Sequence, residues 1–443
     1  MSPFHHLLGN NLLANITNFT VWFAITFWVF LETRSVFATG MIAGGYLVLT
    51  AGCGFWFGSL VDHHGKKLTM LASSVASFVL YGAALLAFHA TPADVFTNPY
   101  AAELWLMVAL ILLGVIAGNI RTIALPTLVT LLVPEDQRGK ANGLVGMVTG
   151  IGFLMTSAIS GFLVARGGMT AVLALAMAAT ALAFAHLWFV RFAEPKPKVE
   201  EGRPPEPKRV DIAGTLRVIR GVPGLFALIL FTCFNNFLGG IFMALLDAYG
   251  LSLVSVQTWG LVFAFLSLGF IASGVVISRT GLGKNPVKTL LTVNLLCWLV
   301  CCVFTLKSSI ILVAAGCFVW FVLTPYAEAS EHTTLQKVVP FERQGRVFGF
   351  AQSVEQSASP LTAFMIGPLT QFFFIPFMTT GAGADAIGDW FGRGPERGIA
   401  LVFTLAGMVG VAMTLLAFAS PYYRRLSAAY ARGAAEEEGA AAP

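Results

Sequence analysis

The sequence predicts an all-α membrane protein of about twelve transmembrane helices, arranged as two pseudo-symmetric six-helix halves. Three observations predict it. Charged residues make up 11% of the chain and hydrophobic ones 57%, with a mean hydropathy of +0.79, whereas soluble domains carry roughly 25% charge. Apolar stretches of about 20 residues, the length that crosses a hydrocarbon core of about 30 Å, recur along nearly the whole chain. A motif of the first half returns in the second: Val133-Pro-Glu-Asp-Gln-Arg-Gly139-Lys-Ala-Asn-Gly143 matches Val339-Pro-Phe-Glu-Arg-Gln-Gly345-Arg-Val-Phe-Gly349 at an offset of 206.

The first six spans begin near Leu8, Ala38, Leu68, Glu103, Asn142 and Met169, and the second six near Pro223, Val256, Val287, Ser308, Arg346 and Arg397. Span 1 follows a start without a basic region or a small-residue cleavage site, so it reads as an uncleaved anchor and not a signal peptide. Span 11 contains Pro360, Pro368 and Pro376. It is expected to stay helical to about Phe374, because neighbouring helices can satisfy the carbonyls that proline frees. The stretch from Ala193 to Val210 is rich in proline and charge, lacks apolar periodicity, and reads as a solvated linker. The expected division is therefore 1–192, a cytoplasmic linker 193–222, 223–420, and a cytoplasmic tail 421–443.

Most of the 27 Lys and Arg residues, including Lys66, Lys67, Arg138, Lys140 and those of the linker and tail, fall on one side of the spans. Arg34, Arg166, Lys307, Arg393 and Arg397 fall on the other. The positive-inside rule makes the first side cytoplasmic and places both termini there. The net charge of +5 thus reports topology, and no nucleic-acid partner is expected. All six cysteines lie in predicted spans and are expected to be buried apolar thiols, over disulfides or metal ligands.

Between spans 2 and 3 the chain reads Gly58-Ser-Leu-Val-Asp62-His-His-Gly65-Lys66-Lys67, with a weaker echo 216 residues on at Gly274-Val-Val-Ile-Ser278. Gly58 permits close approach of helix ends, Gly65 permits a tight turn, and Lys66 and Lys67 are expected at the cytoplasmic lipid surface. One reading is a wet loop whose lysines set topology. The other comes from resemblance: the stretch resembles the G-x-x-x-D-[RK]-x-G-[RK]-[RK] loop signature of the major facilitator superfamily, with His63 where a basic residue is usual. The segment Thr334-Leu-Gln336-Lys-Val-Val-Pro340, continuing to Gly345-Arg346-Val-Phe348, is similar to the drug-efflux branch that includes macrolide exporters. The resemblance covers the full length and implies a secondary antiporter of a bacterial inner membrane, with proton coupling and export. It also implies that Gly58, Asp62, Gly65, Lys66 and Lys67 form a gate in which Asp62 acts as a conformational latch. Spans 1, 4, 7 and 10 would line a central cavity, and spans 2, 5, 8 and 11 the interface of the halves.

A charge at the centre of a span costs about 2.5 to 3.5 kcal/mol on insertion scales, so such residues usually face a cavity or a partner. Arg121, twelve residues before Val133, lies about 18 Å from the cytoplasmic helix end at 1.5 Å per residue, near the midplane. Glu328 stands at nearly the repeat-equivalent depth, and Glu331 and His332 follow it at i+3 and i+4 on the same helical face. Two acids in a low dielectric repel, so one of them is expected to hold a proton at neutral pH. Span 11 carries Gln352, Glu355, Gln356 and Ser359 on one stripe. Glu328, Glu355, Arg121, Glu331 and His332 are therefore the proton-coupling candidates, with Glu331 and His332 nearer the cytoplasmic end, where a gate or surface role competes. A static ion-pair network is the alternative for the whole set.

Asn11, Asn15, Asn18 and Trp22 share a face of span 1, and Asn235 and Asn236 lie on span 7. With Gln352 and Gln356 they are the substrate-cavity candidates, since amides bind without fixing ligand charge and aromatic neighbours offer apolar area. Interhelical amide contacts are an equal alternative. Gly281-Leu-Gly-Lys284-Asn285 lacks the remaining residues of a phosphate loop, and no metalloprotease, hydrolase or paired-cysteine motif occurs. No cofactor, metal or catalysis is expected; the expected partners are a small amphipathic substrate, protons and the lipid bilayer, with the chain acting as a monomer. The leading expectation is proton-coupled export of amphipathic molecules. A dedicated metabolite, siderophore or lipid transporter is the alternative, and a non-transporting receptor or assembly factor the second.

Overall fold

The computed structural model describes residues 3–33, 35–194 and 211–440. Arg34 and the linker residues 195–210, with Lys196, Lys198, Arg203, Lys208 and Arg209, lie outside the described residues. Among the described residues the fold is all helix. In chain order the helices are α1 (Pro3–Thr33), α2 (Val36–His64), α3 (Lys66–Ala90), α4 (Ala102–Gly118), α5 (Ile120–Leu132), α6 (Glu135–Phe189), α7 (Ile212–Gly221) and α8 (Leu225–Leu253). They continue as α9 (Val256–Thr280), α10 (Pro286–Val303), α11 (Ile310–Val338), α12 (Gln344–Leu369), α13 (Ile375–Thr379), α14 (Ala382–Phe391), α15 (Pro395–Ala419) and α16 (Pro421–Ala440). Eleven segments among them are long and apolar enough to cross a membrane. The predicted fifth span forms the first part of α6, which turns at Gly168 (φ 57°) and so joins two spans.

Local chemistry sets the helix ends. Ser35 and Ser255 accept the amides of Ala38 and Thr258 at 3.1 and 3.3 Å, and Asn285 accepts that of Lys288 at 3.1 Å ahead of Pro286 at the first helical position. The predicted fourth span is interrupted: α4 ends at Gly118 and α5 begins at Ile120, with Asn119 at φ −67° and ψ −12° between them. Span 11 extends further than expected. Its prolines are accommodated by a single π-helical turn over Thr370–Phe374, after which α13 continues to Thr379. Part of the region assigned to the linker is helical as well, because Asp211 caps α7 by accepting the Gly214 amide at 2.7 Å.

The chain divides into two compact units. The first comprises Met1–Ala141, Val148–Leu216 and Val339–Ser353; the second comprises Asn142–Met147, Arg217–Val338 and Val354–Pro443. Each unit therefore holds a short stretch from the other half of the sequence. In the first unit α3 packs on α4 through small residues, with Ser73 and Ser77 hydroxyls donating to the Ala117 and Gly114 carbonyls at 2.8 Å each. Trp28 stands edge-on to Phe88 and Phe96 in the core of this unit. The core of the second is aromatic: Phe242 stacks on Phe403 and Trp320, and Trp298 is fully buried beside them. Side chains such as Leu86, Ile311 and Phe364 are left exposed on the helices, as lipid-facing positions of spanning helices are.

Candidate functional site

The turn between α2 and α3 brings several polar contacts together in the first unit. The Asp62 carboxylate accepts the backbone N–H groups of Gly345 and Arg346, each at 2.8 Å, and the Arg346 Nε–H at 3.3 Å. Its side chain is 2% exposed. These amides open α12 and have no partner within their own helix, so an anion here satisfies orphan donors and meets the positive end of the helix dipole. The approach depends on glycine: a Cβ at Gly58 would collide with the Gly345 carbonyl oxygen and come within 3.0 Å of Arg346 Cα. Gly54 and Gly349 meet in the same way one turn along, so two glycine pairs spaced by four residues face each other.

The lysines behave differently from the sequence expectation. Lys66 is not a lipid-surface residue; it is 5% exposed and its ammonium lies 4.5 Å over the Phe341 ring, just ahead of α12. Attraction between the ammonium and the ring face offsets part of the cost of burying it. Lys67 Nζ donates to the carbonyls of Trp188 and Val190 at 3.2 and 2.7 Å, capping the end of α6. His63 Nδ1 donates to the Ser59 carbonyl at 2.8 Å within α2. Gly65 makes the turn with φ 81°. The Glu194 carboxylate, which sequence reasoning counted only as linker charge, accepts the amides of Lys66 and Lys67 at 2.8 and 2.7 Å.

Arg121 is 4% exposed at the start of α5, and its guanidinium donates to Asn10 Oδ1 and Ser74 Oγ at 2.6 Å each. Asn10 in turn donates to the Ala183 carbonyl at 2.7 Å and meets His186 Nδ1 at 3.2 Å. Among the described residues, the hydrogen bonds given to Arg121 thus run to neutral side chains of its own unit, while Glu328 and Glu355 belong to the other unit. The sequence reading picked the Asn11 face of span 1 and missed Asn10 and Ser74; a buried arginine needs acceptors, and a neighbouring amide was the available signal.

Above Arg121, the helix break places Asn119 between Asn18 and Tyr46, accepting from Asn18 Nδ2 at 3.4 Å and donating to the Tyr46 hydroxyl at 3.2 Å. Trp22 lies over the Tyr46 ring, with centroids 4.3 Å apart. Thr122 and Gln352 exchange hydrogen bonds at 3.2 and 2.9 Å, and Asn15 is half-buried nearby in sequence on α1, with Asn11 buried. In the second unit Asn235 is spent on structure: its nitrogen donates to the Phe231 carbonyl and its oxygen accepts from Trp298 Nε1, both at 2.7 Å. Asn236 donates to the Thr232 carbonyl at 3.1 Å, and Gln356 is half-buried.

The acids gather in the second unit. Glu331, on α11, is 8% exposed and therefore not a surface group. It lies within hydrogen-bonding reach of the Glu355 carboxyl on α12 and of the Thr232 hydroxyl on α8, and each of the two acids keeps one buried carboxyl oxygen without a hydrogen-bond partner. Glu328, one turn earlier on α11, is exposed and close enough to act electrostatically on both; His332 is half-buried. An ionised carboxylate can only accept, so a hydrogen bond between two carboxyl groups requires a proton on one of them.

The model of the major facilitator superfamily matches residues 7–363. The chain belongs to the major facilitator superfamily. It is 21% identical over 367 residues to macrolide efflux protein A of Streptococcus pyogenes, covering 81% of this chain and 87% of that protein. Among solved structures it is similar to an outward-facing bacterial homologue of the iron transporter ferroportin (TM-score 0.66, 14% identity, 93% of this chain and 98% of that one). It is also similar to the human organic anion transporter MFSD10 (TM-score 0.64, 13% identity, 93% and 100%) and to the proton:xylose symporter XylE (TM-score 0.64, 12% identity, 94% and 95%). As a superfamily member the chain is a multi-pass membrane transporter of a small molecule and not an enzyme. Its six cysteines are all free thiols, three of them buried.

Proposed function

We propose that this superfamily member is a proton-coupled exporter of amphipathic small molecules in a bacterial plasma membrane, with both termini cytoplasmic. The observation that carries the reading is the approach of Glu331 on α11 and Glu355 on α12: two carboxyls within hydrogen-bonding reach, each with one buried oxygen lacking a hydrogen-bond partner, are suited to taking up and releasing a proton in a transport cycle. Glu328, exposed one turn earlier on α11, is the third acid of the cluster. The half-buried amides and the Trp22–Tyr46 face of the first unit supply neutral hydrogen bonds beside aromatic area, which suits molecules that are apolar with a few polar groups. The likeness to a macrolide efflux protein supports export as the direction. Asp62 acts in this cycle as a latch on the first turn of α12, released when the cytoplasmic side opens.

The test is export of a macrolide probe from proteoliposomes under an imposed pH gradient. Glu331→Gln and Glu355→Gln each keep the shape of the pair and remove its exchangeable proton, so proton-driven export should fall about tenfold or more while binding of the probe persists. Glu328→Gln should reduce the rate less. A Glu331→Gln/Glu355→Gln double variant that still exports against a gradient would overturn the assignment.

A further inference from the structure

The turn carrying Asp62 is anchored at its other end by a residue from a distant part of the chain. Glu194 follows the end of α6, and its carboxylate spans the first two amides of α3: Oε2 accepts Lys66 N–H at 2.8 Å and Oε1 accepts Lys67 N–H at 2.7 Å. The exchange is mutual, because Lys67 Nζ reaches back to the Trp188 and Val190 carbonyls. An anion therefore sits on the positive end of α3 while a cation sits on the negative end of α6. The carboxylate also lies against the turn itself, since a Cβ on Gly65 would come within 3.1 Å of Glu194 Oε2.

Lys66 is the point where this anchor meets the latch. Its backbone N–H is held by Glu194 and its ammonium is held on the Phe341 ring. Phe341 opens the short 3-10 turn Phe341–Arg343 that leads into α12, and Asp62 grips Gly345 and Arg346 immediately beyond it. Two contacts thus leave one short stretch, Asp62–Lys66, and land on one short segment. The Glu194 carboxylate holds the backbone from which the second departs, beside the Thr69 hydroxyl that donates to the Gly65 carbonyl at 2.6 Å.

We propose that Glu194 is a positioning residue of the cytoplasmic latch, holding the start of α3 so that Asp62 and Lys66 together engage the segment leading into α12. The inference rests on the reading of Asp62 as a latch and extends it to a residue at the exit into the central linker.

Hydrogen exchange by mass spectrometry on the full chain in lipid nanodiscs, beside export in proteoliposomes, tests it. Glu194→Gln should speed exchange at residues 66–69 and also at 344–349, each by about three- to tenfold, as expected for loss of charge-assisted bonds. Exchange along the α3–α4 contact at Ser73 and Ser77 should stay as in the parent, and Glu194→Asp should recover part of the protection. In an Asp62→Asn background, Glu194→Gln should add little at 344–349, because the element it positions is already disabled. Faster exchange confined to 66–69, or an equal effect at 344–349 with and without Asp62, overturns the proposal. If Asp62→Asn by itself leaves export and exchange at 344–349 unchanged, the latch reading fails and this inference falls with it.

Discussion

Two repeat-related stretches, the start of α12 and residues 142–147 of α6, each pack in the unit opposite to most of their sequence half, yet they are held by different chemistry. The α12 stretch is gripped in the first unit by a carboxylate on two orphan amides, a buried lysine on an aromatic ring, and facing glycines. The α6 stretch is gripped in the second unit by neutral groups. Asn142 donates to Thr333 Oγ1 at 2.8 Å and to Gln336 Oε1 at 2.9 Å, and Gln336 returns a bond at 3.3 Å, all three residues being buried. Gly274 and Gly143 permit the close packing there, against Met147 and Ile277. The difference teaches that the repeat preserved the glycine contact, Gly349 against Gly58 and Gly143 against Gly274, and not the polar grip beside it. Charge-assisted bonds are roughly twice as strong as neutral ones and respond to nearby charge, whereas an amide pair does not.

The largest effect should come from removing the close approach on the charged side. Gly58→Val places a branched side chain against the backbone of Gly345 and Arg346, which cannot move aside as a flexible side chain would. Overpacking costs about 1–3 kcal/mol, so the cytoplasm-open population should rise by roughly five- to a hundredfold and export should collapse. Spin-label distances across the cytoplasmic ends of the helices would report the population directly. Asp62→Asn keeps the shape and one acceptor but loses the charge, at about 1.5–3 kcal/mol. Export should drop while equilibrium binding of the probe changes less than about twofold; a large loss of affinity with an unchanged population would remove the latch.

The neutral clasp should break in a distinguishable way. Asn142→Leu removes the hydrogen bonds to Thr333 and Gln336 in a dry site, at a cost of about 1–3 kcal/mol, whereas replacing both members of the amide pair with apolar residues should cost less. Asn142→Leu/Gln336→Leu should therefore recover most of the protection at 142–147 that the single variant loses in hydrogen exchange. No such rescue exists on the charged side, where the amides of α12 remain whatever replaces Asp62.

Much of this architecture was legible in the sequence because its signals are periodic or local. Apolar run length gave the spans, the 206-residue repeat gave paired positions such as Gly143 and Gly349, and Gly58-x-x-x-Asp62 marked the turn. Pairings between distant residues were not legible. Nothing in the local pattern around Glu194 distinguishes a helix-capping carboxylate from the charged residues that follow it, and nothing around Asn10 ranks it above Asn11 as the acceptor for Arg121. Lys66 was misread because a positive charge at a span end has a default place in the headgroups, and only the position of Phe341 diverts it. Glu331 was placed too near the surface for a similar reason: depth along a helix was readable, but which neighbours cover it was not.

The smallest effect should come from Ser278, the residue that the 216-residue echo puts in the place of Asp62. If position alone made the latch, Ser278 would carry a comparable load on the α6 stretch. Its hydroxyl instead donates to the Val275 carbonyl of its own helix at 2.8 Å, a bond that α9 does not need for its integrity. The adjoining packing is made by backbone and by Ile277, since a Cβ on Gly143 would meet the Ile277 side chain and come within 3.1 Å of the Ser278 nitrogen. Ser278→Ala leaves those atoms in place and should change stability and state population by less than about 0.5 kcal/mol, the scale of a substitution that touches no special feature. Export rate and exchange at 142–147 should then match the parent, while Asp62→Ala, the same truncation at the paired position, should not. A Ser278→Ala variant that opens the cytoplasmic side as Asp62→Ala does would show that the two clasps share a mechanism after all, and the contrast between a charged and a neutral one would have to be abandoned.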